Sequence, residues 1–200
     1  MKMGLKKDQR TLKDQRTENI LWNLRKFDYM TQAQIQVIHD LKGDRNANRI
    51  LNGMSEYICS FRNGLEKVYY LNKNGREFVD HDVIRKKTAN VEHFITRNQL
   101  WIHMRRPKDW ENEVQIKAGD ISIVCDAKTS QNGFPAFVEV DISQPMQVNK
   151  AKIEKYKKIQ KLSKDPFYVV WVTKFPSRKK KLMELSAGLN VHVFTSEEIQ

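Results

Sequence analysis

Acidic residues in the second half of the chain have the types and spacing of a metal-binding site. Asp120 opens one apolar run, and Glu139 and Asp141 lie in the next, on the same side of a strand by its two-residue repeat. Mg²⁺ and Mn²⁺ prefer such oxygen ligands, and a metal ion held there could activate water against a phosphodiester. A lysine-rich segment follows at once, and one of its ammonium groups could support the attacking hydroxide. The chemistry that these residues could perform is metal-dependent cleavage of nucleic acid.

An α/β sheet with helices on its faces would bring these acids together. Ser130–Gly133 has the composition of a turn, and Phe167–Thr173 is apolar enough for a strand buried on both faces. The other predicted strands are Leu100–Met104, Asp120–Val124, Ala136–Val140 and Val191–Phe194, and the predicted helices of this half are Asn149–Leu162 and Ser177–Ser186.

The charge of the chain favours a polyanionic partner. Its 200 residues include 36 lysines and arginines against 24 acids, a formal net charge of +12, and a basic excess of this size points to nucleic acid. An apolar content of 40% allows one large or two small packed domains. Cys59 and Cys125 are far apart and fit buried free thiols. Without an apolar run of membrane-spanning length or a secretory signal, we expect a cytoplasmic protein with no membrane partner.

The first half of the chain has the pattern of three helices followed by a hairpin. Apolar residues at helical spacing begin after Asp14 and again after Thr31, which is a good N-cap. A third helix is predicted over Asp44–Tyr57. Two strand-like runs then flank Arg62-Asn63-Gly64, and an Asn-Gly pair between such runs is a strong hairpin signal. This order predicts a winged helix-turn-helix.

The outward face of the third helix carries side chains that can read base edges. Arginine and asparagine contact guanine and adenine in the major groove, and basic side chains on the hairpin and the later basic helix could contact phosphates. The alternative is a winged helix that contacts proteins and leaves its arginines solvated. The predicted DNA-binding residues are Arg45, Asn46, Asn48, Arg49, Asn52, Arg62, Asn63, Lys67, Lys150 and Lys155.

The acidic motifs resemble those of the restriction-endonuclease-like fold, the PD-(D/E)xK group. Gly119-Asp120 stands for its first motif and Glu139-Val140-Asp141 for its second. From about residue 14 to 195, the whole chain resembles the replication-relaxation family of plasmids and mobile elements, in which a winged helix precedes a nuclease-like domain. The matching residues are Val91-Glu92-His93, Arg97-Asn98, Trp110-Glu111-Asn112-Glu113, Ala118-Gly119-Asp120, Phe137-Val138-Glu139-Val140-Asp141 and Lys152-Ile153-Glu154-Lys155-Tyr156.

The resemblance implies a domain organisation. We expect a flexible basic arm over residues 1–13, a winged helix DNA-binding domain over 14–82, and a restriction-endonuclease-like α/β domain over 83–200. The fold class is then α+β with an α/β second domain.

The chain departs from the nuclease pattern at one position, since Asp141 stands where the lysine belongs. Either a lysine has migrated to the following helix, at Lys150, Lys152 or Lys155, or the catalytic function is lost and the acids are structural. The resemblance gives Asp120, Glu139, Asp141 and Lys152 as the candidate catalytic set, with Asp120 and Glu139 as ligands of Mg²⁺ or Mn²⁺ if the domain is an active nuclease. Asp126 and Glu113 are candidate further ligands.

Three classes of function remain open from the sequence. The leading hypothesis is a sequence-specific binder of double-stranded DNA, in the bacterial cytoplasm and associated with the nucleoid or a plasmid, that acts in replication, DNA relaxation or transcriptional control of a plasmid, phage or integrative element. The second is a metal-dependent endonuclease or nickase. The third is an adaptor that recruits replication or transfer proteins. A homodimer would match paired half-sites on DNA.

Overall fold

A computed structural model of the chain describes residues 3–87 and 90–200, with side chains described from residue 12 onward. Within these ranges the chain forms seven helices and two β-sheets, a mixed α+β fold. The chain divides into two compact units, Met1–Ile95 and Thr96–Gln200, here called the N-terminal and C-terminal units. The helices are α1 (Met3–Phe27), α2 (Gln32–His39), α3 (Asp44–Asn52), α4 (Lys73–Phe78), α5 (Val91–His103), α6 (Met146–Leu162) and α7 (Pro176–Leu185). The strands are β1 (Met30–Thr31), β2 (Ile58–Asn63), β3 (Glu66–Leu71), β4 (Glu111–Ala118), β5 (Ile121–Gln131), β6 (Phe134–Asp141), β7 (Tyr168–Thr173) and β8 (Val191–Thr195).

Helices α1 to α3 and a small antiparallel sheet make up most of the N-terminal unit. The sheet has the order β1-β3-β2. Ile20, Leu24 and Phe27 are buried on one side of α1 at spacings of three and four residues, as a core-facing helix requires. Thr31 begins α2 with a capping box, in which its hydroxyl accepts from the Gln34 backbone while the Gln34 side chain accepts from the Thr31 backbone.

The α2–α3 turn and the β2–β3 hairpin fix the outer surface of this unit. Asp40 ends α2 in the left-handed conformation, and α3 starts after Gly43. Helix α3 ends at Asn52, earlier than the predicted Tyr57, and residues 53–57 form turns. In the hairpin, Gly64 adopts a φ of 61°, which a residue without a Cβ reaches at little cost.

The C-terminal unit is built on a five-stranded sheet of order β4-β5-β6-β7-β8. Its first three strands are antiparallel, whereas β6, β7 and β8 run parallel and are joined through α6 and α7. Parallel neighbours need such crossover helices. On one face of the sheet, Phe137 and Trp171 pack with Ile153 and Tyr156 of α6 and with Leu182 of α7. Strand β7 is buried almost throughout, as its apolar sequence predicts.

Two stretches differ from the expected local structure. Leu100–Met104, predicted as a strand, belongs to the end of α5 and the turn after it. Arg97, Leu100 and Trp101 are all buried, and their spacing of three and four residues fits one side of a helix. Residues 3–13, where we expected a flexible arm, are helical in backbone as the start of α1, and residues 1 and 2 lie outside the described part.

None of the helices in the described residues is long and apolar enough to cross a membrane.

Candidate functional site

Helix α3 presents two arginines one turn apart to solvent. Ala47 and Leu51 are buried and fix the rotation of the helix about its axis. Arg45 and Arg49 are consequently exposed on the opposite side. Like charges four residues apart disfavour an isolated helix by a few tenths of a kcal/mol, and an anionic or acceptor-rich ligand would remove that repulsion.

The side chain of Asn46 links α3 to the turn before it and to Arg49. Its Nδ2 donates to the backbone carbonyl of Leu41 at 2.8 Å, and its Oδ1 accepts from Nη2 of Arg49 at 2.8 Å. Asn46 is half-buried, whereas Arg49 is exposed. The guanidinium of Arg49 is therefore held against the helix by a side chain that is itself anchored to the backbone.

The β2–β3 hairpin contributes further cations beside α3. Lys67 lies with its Nζ 5.1 Å from the centre of the Tyr69 ring and 3.4 Å from Oδ1 of Asn52, the last residue of α3. Arg62 and Lys67 line a surface groove together with Asn48 of α3. Asn63 is half-buried at the end of β2. The predicted DNA-binding residues of this unit thus lie on α3 and the adjacent hairpin.

Glu139 in the C-terminal unit is fully buried and held by two side chains of α6. The ammonium of Lys152 donates to its Oε2, and the hydroxyl of Tyr156 donates to its Oε1 at 2.7 Å. Residues 152 and 156 are one helical turn apart and so share a face of α6. Of the predicted catalytic residues, Glu139 and Lys152 are the two that come into direct contact.

Burial determines how these groups hold protons. It raises the pKa of Glu139 to about 8, the nearby Asp126 acts in the same direction, and Lys152 offsets part of the rise. Burial lowers the pKa of Lys152, but Glu139 and Asp126 together outweigh that effect and raise it above its ordinary value. Burial and Asp126 thus favour the protonated form of Glu139, whereas Lys152 favours its ionised form.

Asp126 lies at a point where β5 departs from regular alternation. Lys128 pairs with Phe137, which places both side chains on one face, yet Cys125 packs in the same core as Phe137. Strict alternation would put residues 125 and 128 on opposite faces of the sheet. The alternation of side chains between the two faces is therefore interrupted between these residues. At this point the backbone N–H of Val140 donates to Oδ2 of Asp126 at 2.7 Å.

Asp141 takes part in a separate, closed ion pair. It is fully buried, and Arg178 of α7 donates to its two oxygens at 2.6 Å each. The hydroxyl of Thr173 on β7 donates to Oδ2 at 3.0 Å. Arg178 also donates to the carbonyl of Gln144 at 2.8 Å, so the pair holds the start of α7 and the loop before α6 against the end of β6.

The remaining predicted residues of this unit are exposed. Asp120 is exposed in the β4–β5 turn, six positions before Asp126, which corresponds to about 20 Å along an extended strand. Glu113 is exposed on β4, and its Oε1 lies 3.9 Å from Nη1 of the buried Arg97. Lys155 donates to the carbonyl of Ser122, and Lys150 is exposed on α6.

The donor set of the Glu139 cluster does not fit Mg²⁺ or Mn²⁺. Both oxygens of Glu139 have hydrogen-bond partners, and the Lys152 ammonium occupies the place beside Oε2 that a cation would take. A metal ligand must also be deprotonated, which opposes a carboxyl group with a pKa of about 8. In the part of the chain that the structure describes, no three or more His, Cys, Asp or Glu side chains are grouped to hold a metal ion.

Sequence reasoning did not identify Tyr156 and Arg178 as partners of the acids. Tyr156 lies one helical turn after Lys152 on an apolar face, so the sequence could have predicted that both side chains reach the same acid. Arg178 follows Asp141 by 37 residues, and nothing in its local sequence identifies its partner.

Comparison with known proteins gives one family match. The model of the family described as replication-relaxation matches residues 21–166. The crystal structure of protein VC1899 from Vibrio cholerae is similar over 78% of this chain, at 16% sequence identity and a TM-score of 0.39, and this chain spans 40% of that protein's length. Among curated proteins, none matches this chain.

Proposed function

Because this chain belongs to the replication-relaxation family, we propose that it is a DNA-binding protein of a bacterial plasmid, phage or integrative element. Membership of the family suggests a role in the replication or relaxation of a plasmid or mobile element. We assign DNA recognition to the N-terminal unit, as a winged helix, and assign a non-catalytic DNA-gripping role to a restriction-endonuclease-like C-terminal unit.

The exposed arginine pair of α3 is the observation that carries this proposal. Arg45 and Arg49 project from a helix whose other side is buried, which is the arrangement that lets a helix enter the major groove. Arg62 and Lys67 of the adjacent hairpin line a surface groove with Asn48 of α3, and we assign both to phosphate contacts. The order of three helices and a hairpin, with a short strand β1 paired to β3, agrees with a winged helix.

Features of the C-terminal unit favour DNA binding without DNA cleavage. An acid replaces the motif lysine at Asp141 and is neutralised by Arg178. Glu139, the other acid of this motif, has no exposed surface, and its oxygens are engaged by Lys152 and Tyr156. The strand order, with three antiparallel strands followed by helix-linked parallel strands, agrees with a nuclease-like fold retained as a platform.

A gel shift on duplex DNA at low and moderate salt tests the binding role. The double variant Arg45→Ala/Arg49→Ala should bind about tenfold more weakly or worse. The control Lys73→Ala/Arg76→Ala removes the same charge from α4 and should change affinity by less than about threefold. Equal effects of the two double variants would mean that the DNA-binding surface does not include α3. If the protein shifts no DNA at low salt, the adaptor hypothesis is favoured.

A nicking assay separates binding from catalysis. Supercoiled plasmid incubated with excess protein and Mg²⁺ or Mn²⁺ should remain supercoiled, with wild type indistinguishable from Glu139→Gln. Nicking by wild type that disappears in both Glu139→Gln and Lys152→Ala would overturn the non-catalytic assignment and establish a metal-dependent nickase.

A further inference from the structure

We propose that Arg49 reads a guanine in the major groove and that Asn46 is the residue that positions it. The proposal rests on the proposed winged-helix function of the N-terminal unit and names the base that α3 selects. It also gives Asn46, a predicted base-contacting residue, a different role: it acts on DNA through Arg49.

Both ends of the Asn46 amide are engaged within the protein. Nδ2 donates to the Leu41 carbonyl, and Oδ1 accepts from Arg49, each at 2.8 Å. The reversed amide would set oxygen against the carbonyl and nitrogen against the guanidinium, two repulsive contacts, so the hydrogen bonds fix its orientation. Reading adenine requires an asparagine to offer its oxygen and its nitrogen together to N6 and N7. In Asn46 each of these atoms already has a partner within the protein, so turning the amide toward a base would break both hydrogen bonds.

Arg49 keeps most of its donors. A guanidinium carries five N–H groups in a fixed fork, and the contact with Asn46 uses one Nη2 position. Guanine presents two acceptors, O6 and N7, in the major groove, whereas cytosine presents a donor and adenine presents one donor beside its acceptor. A positioned fork therefore favours guanine over the other three bases. Fixing the side chain before binding also reduces the rotamer entropy that would otherwise be lost.

Asn74, an exposed asparagine of α4, provides a matched control. It lies outside the proposed DNA-binding surface, so Asn74→Ala removes the same chemical group as Asn46→Ala without releasing Arg49.

Selection from a randomised duplex library, followed by titration of the selected site and its single-base variants, tests the proposal. Wild type should select a guanine at one position and lose about 5- to 150-fold in affinity when that base pair is changed. Arg49→Lys keeps the charge but replaces the fixed fork by a single ammonium, which bonds guanine less selectively, so it should lower this preference severalfold while retaining binding to non-specific DNA. Asn46→Ala should weaken the preference, and the double variant Asn46→Ala/Arg49→Lys should lose no more than Arg49→Lys alone. Asn74→Ala should leave the preference at that position intact.

The outcomes distinguish this inference from the function on which it rests. If wild type binds DNA but Arg49→Lys keeps the same guanine preference, Arg49 is not the reader and the inference fails alone. If Asn46→Ala, shown to be folded by circular dichroism, keeps the full preference, the positioning role of Asn46 fails. If wild type binds no DNA at low salt, both the proposed function and this inference fail.

Discussion

Replacing Glu139 by glutamine should remove a pH dependence of stability that the buried cluster imposes on the C-terminal unit. The pKa of Glu139 rises from 4.5 in the unfolded chain to about 8 in the fold, a difference of about 3.5. At 1.36 kcal/mol for each unit of pKa difference, the free energy linked to this proton is at most about 5 kcal/mol. That is a large part of the 5–15 kcal/mol by which domains of this size are typically stable.

The sign follows from which state holds the proton more tightly. The folded protein binds the proton of Glu139 more strongly than the unfolded chain, so the stabilisation is fully present below about pH 4.5. It is lost progressively as the pH rises through about 8. Between pH 5 and pH 9, wild type should therefore lose about 2–5 kcal/mol relative to Glu139→Gln, which mimics the protonated acid at every pH.

Urea unfolding followed by tryptophan fluorescence measures this difference. Trp101, Trp110 and Trp171 are buried in the C-terminal unit, whereas Trp22 is exposed in the N-terminal unit, so the signal reports mainly the unit of interest. The free energy of unfolding is determined for both proteins at pH 5, 6, 7, 8 and 9. Glu111→Gln, which changes an exposed glutamate of the same sheet, is the matched control and should follow wild type.

Parallel pH profiles of wild type and Glu139→Gln would refute the reasoning. Such a result would mean that Glu139 is ionised in the fold at neutral pH and that Lys152 compensates fully for its burial. A profile in which wild type gains stability relative to Glu139→Gln as the pH rises would reverse the sign and mean that Lys152 more than compensates for the burial of Glu139.

Two further substitutions test the packing around these sites. Arg178→Ala leaves the fully buried Asp141 without its counter-charge and should lower the free energy of unfolding of the C-terminal unit by about 2–4 kcal/mol, against less than about 1 kcal/mol for Lys179→Ala in a surface pair. Gly75→Ala would place a methyl group 2.1 Å from the backbone oxygen of Tyr57 and should destabilise the N-terminal unit by about 1–3 kcal/mol in thermal unfolding followed by circular dichroism.

For each of these substitutions, one outcome would contradict the predicted loss of stability. Equal effects of Arg178→Ala and Lys179→Ala would mean that water or another side chain compensates Asp141. For the glycine, Gly43→Ala is the control, since an added Cβ there meets no atom within 4 Å. A Gly75→Ala variant as stable as Gly43→Ala would show that the contact with Tyr57 relaxes without cost.

The alternation and turn signals of the sequence predicted most elements. The turn between β5 and β6 also fixes which residues of these two strands face each other near Glu139. Asn132 and Gly133 both adopt positive φ values, as a two-residue hairpin turn requires, and Gln131 pairs with Phe134. Counting back from that pair sets Asp126 opposite Glu139. Asp120 starts an apolar run, and that position says nothing about which residue it faces across the sheet.

The contact between Asp141 and Arg178 could not be read in the same way, because it depends on a crossover. Strand β7 pairs with β6 in parallel, with Thr173 beside Asp141, and α7 starts three residues after Thr173. Neither the pairing nor the direction of α7 follows from local patterns. Yet the two residues form one physical unit, since a carboxylate with no exposed surface is costly unless a cation and hydrogen bonds accompany it. The buried Asp141 therefore requires a cation such as Arg178, and in the closed pair the two charges neutralise each other.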